Sequence, residues 1–263
     1  MNLPTQLVSE AHPDRPRTSG AEPAPVSWHW RHELQQFVRF VRHPWRGRPE
    51  AAQPATVHAR RLLLMLALCY GFILCIALPF NAGLSWLGLD SDEEPLSFLF
   101  FVVAVGVAPV IEELIFRAGL RQAAYTLFIG PSLIASIFGS WPLMLVLGGF
   151  GTCCAIIDRL WQNRLSAGEL RLLKLRRARR FLRRYPLIFW IYSIGFGLAH
   201  IHHFFGDGWL VLALPLAVGA QTFAGVALGY LRLRYGLAQS MLLHALYNLT
   251  ACVLALMVAR IWA

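Results

Sequence analysis

The chain has 263 residues, 57% of them hydrophobic and only 14% charged, with a formal net charge of +10 at pH 7. So apolar a composition, with a positive mean hydropathy, excludes an ordinary soluble domain. The charges are gathered into blocks between uncharged segments, and the sequence reads as an all-α, multi-pass transmembrane helical bundle.

Residues 1 to about 26 carry Pro4, Pro13, Pro16, Pro23 and Pro25 among Ser, Ala and charges. Such a stretch buries too little apolar surface to offset chain entropy, which predicts a disordered tail. The next stretch, "WHWRHELQQFVRFVRHPW", interleaves aromatics with Arg31, Arg39 and Arg42. It suits either an amphipathic helix on an anionic membrane surface or a solvated linker. The polar stretch before Leu62 contains no short apolar core of a signal peptide, so Leu62 onward is the first membrane signal.

Uncharged segments follow at Leu62–Leu89, Leu96–Ile111, Gln122–Ile157, Tyr185–Gly206, Gly208–Leu231 and Tyr235–Ala259. About 20 apolar residues span the roughly 30 Å of hydrocarbon in a bilayer. Gly139-Ser-Trp-Pro142 breaks the third segment into two short helices or a re-entrant hairpin. About seven membrane helices are expected, or five plus a re-entrant pair. All five cysteines, Cys69, Cys75, Cys153, Cys154 and Cys252, fall inside apolar segments without CxxC spacing, as small hydrophobes would.

The placement of charge sets the expected topology. Nine of the 24 basic residues precede Leu62, and ten more lie between Arg159 and Arg184. Both blocks abut apolar spans, where cytoplasmic Lys and Arg belong. The loop Asn81–Pro95 holds Asp90, Asp92, Glu93 and Glu94 and no base, and is expected outside. An inside amino terminus in a bacterial plasma membrane and attraction to anionic lipid account for the basicity without a nucleic-acid partner.

Ionisable groups inside a membrane helix are costly and mark function or a structural pair. Three stretches carry them. In "EELIFR", Glu113 and Arg117 stand four apart, in the favourable order for an ion pair, and leave Glu112 without a local partner. In "FGLAHIHH", Phe196 precedes His200 by one turn, and Gly195, Gly197 and Ala199 are small enough for close helix approach. His202 and His203 read as interfacial. In "HALYN", His244 and Asn248 share a helix face and aim two donors at one point. Counting about 1.5 Å per residue from the inner boundary puts Glu112 about 6 Å deep, His244 about 14 Å and, counted from Pro186, His200 about 21 Å. Convergence then requires helix tilt, or a His200 helix that starts below the boundary in the basic block.

Taken together, "EELIFR", "FGLAH" and "HALYN" resemble the EExxxR, FxxxH and HxxxN motifs of the CPBP intramembrane proteases, the type II CAAX prenyl endopeptidase-like (Abi) family. The resemblance covers Leu96 to the end of the chain and not the segment before Leu62. It implies an intramembrane endopeptidase in which Glu112, with His200, activates a water. It further implies that His244 and Asn248 stabilise the oxyanion and that Glu113, Arg117 and Phe196 support the site. Fixed donors in a dry site stabilise developing charge better than water does.

No cofactor is favoured, but zinc held by Glu112, His200 and His244 is an open alternative, as is a non-catalytic scaffold of the same fold. A small proton-coupled transporter would call for inverted repeats, and none is visible. The expected substrate is a membrane-tethered protein or peptide. The expected organisation is a cytoplasmic tail over 1–60 and a protease domain over 61–263. That domain would carry a basic insertion at about 122–184, since 88 positions separate Glu112 from His200.

Overall fold

The computed structural model describes residues 28–47, 50, 53–79, 97–123, 125–137, 139–200 and 218–262. The proline-bearing tail, the acidic loop, His202, His203 and the Gly206–Gly208 turn lie outside the described residues. All regular structure among the described residues is helical. We number the helices α1 (Trp30–Arg42), α2 (Ala55–Ala77), α3 (Phe98–Arg121), α4 (Tyr125–Ile137), α5 (Trp141–Gln162), α6 (Ala167–Ala199), α7 (Gly219–Arg234) and α8 (Leu237–Trp262).

Helix α7 is the axis of the bundle. Ala224 to Leu231 are buried without interruption, which a helix achieves only when enclosed on every side. It packs against α6, α8, α2, α1 and the end of α3. Gly236, at φ +108°, supplies the left-handed turn that folds α8 back antiparallel to α7. Gly197 supplies the close approach of α6 to α7, because a Cβ there would meet Thr222 Oγ1, with Val218 O at 3.0 Å and Thr222 N at 3.1 Å. Two of these three obstacles are backbone and cannot swing away. Gly197→Ala is therefore expected to cost about 1–3 kcal/mol and to displace His200, three residues on. Thermal unfolding in detergent checks this, with Gly195→Ala, whose Cβ would meet nothing within 4 Å, expected to be neutral.

Four of the described helices are long and apolar enough to cross a membrane: α2, α3, α5 and Leu237–Met257 of α8. This is fewer than the seven expected, for three physical reasons. The broken third segment yields one full span, α5, and one shorter apolar helix, Tyr125–Ser136. Helix α7 has 16 described residues, about 24 Å of rise. Helix α6 does not begin at Pro186: it starts at Ala167 behind a Ser166–Glu169 capping box and runs 33 residues, so its first half is arginine-rich. The depth of about 21 Å counted from Pro186 does not apply, and the His200 helix does start in the basic block.

The ends of several helices meet at one pole. Arg232 donates to Arg117 O (3.1 Å) and Ala118 O (3.2 Å), capping the carbonyl end of the Glu112 helix. Arg121 donates to Leu233 O, and Tyr185 to Leu120 O at 2.8 Å. Helix α1 docks at the same pole with Phe37 and Phe40 buried edge-on against Tyr230, at 5.3 and 5.2 Å between ring centres. Its Glu33 is buried and bonded to Arg61 (2.8 Å), Tyr230 (2.7 Å) and Tyr235 (2.6 Å). The apolar face of α1 is thus spent on the bundle. All five cysteines are free thiols, with Cys69 and Cys252 buried.

Candidate active site

Helix α3 carries the two carboxylates and separates them. Its first half includes a π-helical stretch, Val103–Val107, before regular α-helix resumes at Ala108. About 100° round the helix from each other, Glu113 faces the bundle at 0% side-chain exposure and Glu112 faces a pocket at 23%.

Glu113 is saturated. Its Oε1 lies 3.0 Å from Arg117 Nη1 and 3.1 Å from His244 Nδ1, and its Oε2 accepts from Ser240. Arg117 is itself only 2% exposed and stacks 3.8 Å above the Phe196 ring. The same ring meets His200 and His244 edge-on, at 4.8 and 5.6 Å between centres. Phe196 is therefore the wedge that fixes both imidazoles and the guanidinium at once.

Glu112 Oε2 has no hydrogen-bond partner among the described residues. It faces His200 Nε2 at 3.8 Å and His244 Nε2 at 3.8 Å. The orientation of both rings follows from their other nitrogens. His200 Nδ1 lies 2.8 Å from Phe196 O, which can only accept, so Nδ1 carries the proton. His244 Nδ1 lies on the Glu113 carboxylate and donates likewise. Both Nε2 atoms stand 3.8 Å from one carboxylate oxygen. At that separation the groups are too far apart to bond directly and near enough to share one water.

A pocket of about 390 Å³ opens over this point, lined by Glu112, His200, Gln221 and Asn248 and by small residues of α3 and α8, including Ala104, Ala108 and Ala251. Asn248 Nδ2 donates to Ala104 O at 2.7 Å, bridging α8 to the π-helical turn of α3. His244 and Asn248 thus share a helix face but part at their tips, His244 between the two glutamates and Asn248 across the pocket.

The sequence reading missed Ser240, Gln221 and the His244–Glu113 bond. Ser240 stands one turn before His244, a signal that was available, and Gln221 is a lone amide in an apolar segment. The His244–Glu113 bond joins residues 131 positions apart and has no local signature.

A family model described as type II CAAX prenyl endopeptidase Rce1-like matches residues 94–250, about 60% of the chain. Neither a curated protein nor a solved structure matches. The matched residues include all three motif stretches, and the helices that bear them bring Glu112, Glu113, His200 and His244 to one place in the bundle. On that match the chain belongs to the type II CAAX prenyl endopeptidase-like family of the CAAX protease/Abi-CPBP superfamily, and is a multi-pass intramembrane peptidase.

Proposed function

We propose that the chain hydrolyses a peptide bond of a membrane-associated protein or peptide, with Glu112 as the general base. The observation that carries the reading is that Glu112 lines the pocket while its Oε2 stands 3.8 Å from both Nε2 atoms. A water there is within reach of a carboxylate and two imidazoles. Glu112 takes its proton as the oxygen attacks the scissile carbonyl, and His200 Nε2 relays a proton to the departing amine.

The oxyanion is met by His244 and Asn248. An amide NH2 has two donors. One of Asn248's is spent on Ala104 O, which holds the group in place, and the other is left for the pocket. His244 presents Nε2, with Nδ1 held on the Glu113 carboxylate at 3.1 Å. Asn248→Ala is expected to lower kcat about 10²–10³-fold, the usual cost of one oxyanion donor, while leaving the melting temperature within a few degrees. Single-turnover cleavage checks it.

Zinc is the rival. Two imidazoles and a carboxylate are suitable donors, yet bonds of about 2.0–2.2 Å around a tetrahedral ion bring ligand atoms to roughly 3.4 Å of one another. Both carboxylate–imidazole edges here are wider, at 3.8 Å, which favours the metal-free reading.

The pole at which α2 begins and α3 and α7 end collects Arg61, Arg121, Arg232 and Arg234. The positive-inside rule assigns it to the cytoplasm. We place the amino terminus there, with residues 1–60 as a tail whose α1 is docked and 61–263 as the protease domain. The carboxyl half of α6 and α7 would complete the bundle toward seven helices. The test is incubation of the purified protein with a panel of membrane-tethered peptides, with and without chelator. Cleavage by the wild type, abolished in His200→Ala and indifferent to chelator, is expected. Cleavage lost on chelation would replace the metal-free mechanism.

A further inference from the structure

The segment between the first two motifs builds a second pocket, remote from Glu112. Helices α5 and α6 are joined by a short turn and splay apart, held by one ion pair, Asp158 to Arg177 at 2.6 Å. The wedge between them encloses about 410 Å³. Along α5 its lining passes from the apolar Cys154 and Ala155, with Phe128 of α4, to the polar Asp158, Arg159 and Gln162 nearer the helix end, with Arg177 of α6. Such a gradient suits an amphiphile, with the chain along the apolar part and the head at the polar end.

Charge selects the head. Asp158 is spent, since Oδ1 and Oδ2 both engage Arg177 and Oδ2 also accepts from Gln162. Glu169, the other acid nearby, is spent in the helix cap. Of the ten basic residues from Arg159 to Arg184, the nine other than Arg177 have no ion-pair partner among the described residues. Arg177, Arg180 and Arg184, at i, i+3 and i+7, form one ridge on α6. On the opposite face of α5 Ile156, Ile157, Leu160 and Trp161 are each more than half exposed, a surface that suits lipid. The wedge lies at the carboxyl end of α5, one of the helices long and apolar enough to cross a membrane.

We propose that this wedge is a binding site for an anionic phospholipid, its phosphate held by Arg159 and by Arg180 and Arg184, the two members of the α6 ridge without an ion-pair partner among the described residues. The proposal stands apart from the proteolytic reading, and its test needs no substrate.

The full chain is reconstituted into nanodiscs of equal phosphatidylglycerol and phosphatidylcholine, extracted gently, and weighed by native mass spectrometry to count retained lipids. Phosphatidylglycerol is expected to be retained over phosphatidylcholine by about fivefold or more, from a contribution near that factor for each cation at an anionic surface. Arg159→Gln and Arg180→Gln, both at exposed positions, are expected to erase that preference, Arg159→Lys to keep it, and the charge-matched Arg260→Gln at the far end of α8 to leave it unchanged. An added arm with millimolar inorganic phosphate separates a lipid site from a bare phosphate site. Equal retention of the two lipids by the wild type, an equal loss in Arg260→Gln, or phosphate binding without lipid preference would each overturn the proposal.

Discussion

Glu112→Gln is expected to abolish cleavage, by about 10²–10⁴-fold for loss of a general base, with the fold intact. Stability is expected to hold because Glu112 supports little: its Oε2 makes no hydrogen bond among the described residues, and the side chain faces a pocket rather than the core. Gln is close in size and cannot accept a proton at neutral pH, so the substitution removes basicity alone. Activity measured on a membrane-tethered peptide, beside a melting curve of the same preparation, separates the two quantities.

The neighbouring residue is expected to behave in the opposite way. Glu113→Ala strands Arg117, 2% exposed, and leaves His244 Nδ1 and Ser240 without their acceptor. Removing one partner of a buried ion pair costs about 3–5 kcal/mol, a large share of the marginal stability of a domain. Thermal unfolding in detergent is expected to show a fall of many degrees, and the protein that remains folded should be inactive because His244 loses its orientation. Arg117→Met, which strands Glu113 instead, is expected to be comparably destabilising. If Glu113→Ala melted with the wild type, the ion pair would not be holding the site together.

The two adjacent acids show how far the sequence could be read. The pairing of Glu113 with Arg117 follows from helical spacing alone, and the solitary state of Glu112 follows by subtraction, because both are properties of one helix. The convergence of Glu112, His200 and His244 was legible only through the three motifs together. The depth arithmetic could not place His200, since Pro186 reads as a helix start and the helix in fact begins well upstream of it, at Ala167.

Contacts made between helices were beyond reach. Glu113 bonding His244, Phe196 serving both histidines and Arg117, and Glu33 tying α1 to Arg61 and Tyr230 depend on how α3, α6, α7, α8 and α1 pack. No spacing rule encodes that packing. Helix α1 is the clearest case: its amphipathic pattern fits a membrane surface as well as a protein one, and the buried Glu33 is what distinguishes them.

The most direct measurement sets Glu112→Gln and Glu113→Ala side by side, with cleavage and thermal unfolding recorded on the same samples. Division of labour between the two acids requires Glu112→Gln to be silent at a wild-type melting temperature while Glu113→Ala melts early. Cleavage persisting in Glu112→Gln, or an equal loss of stability in both, would contradict it.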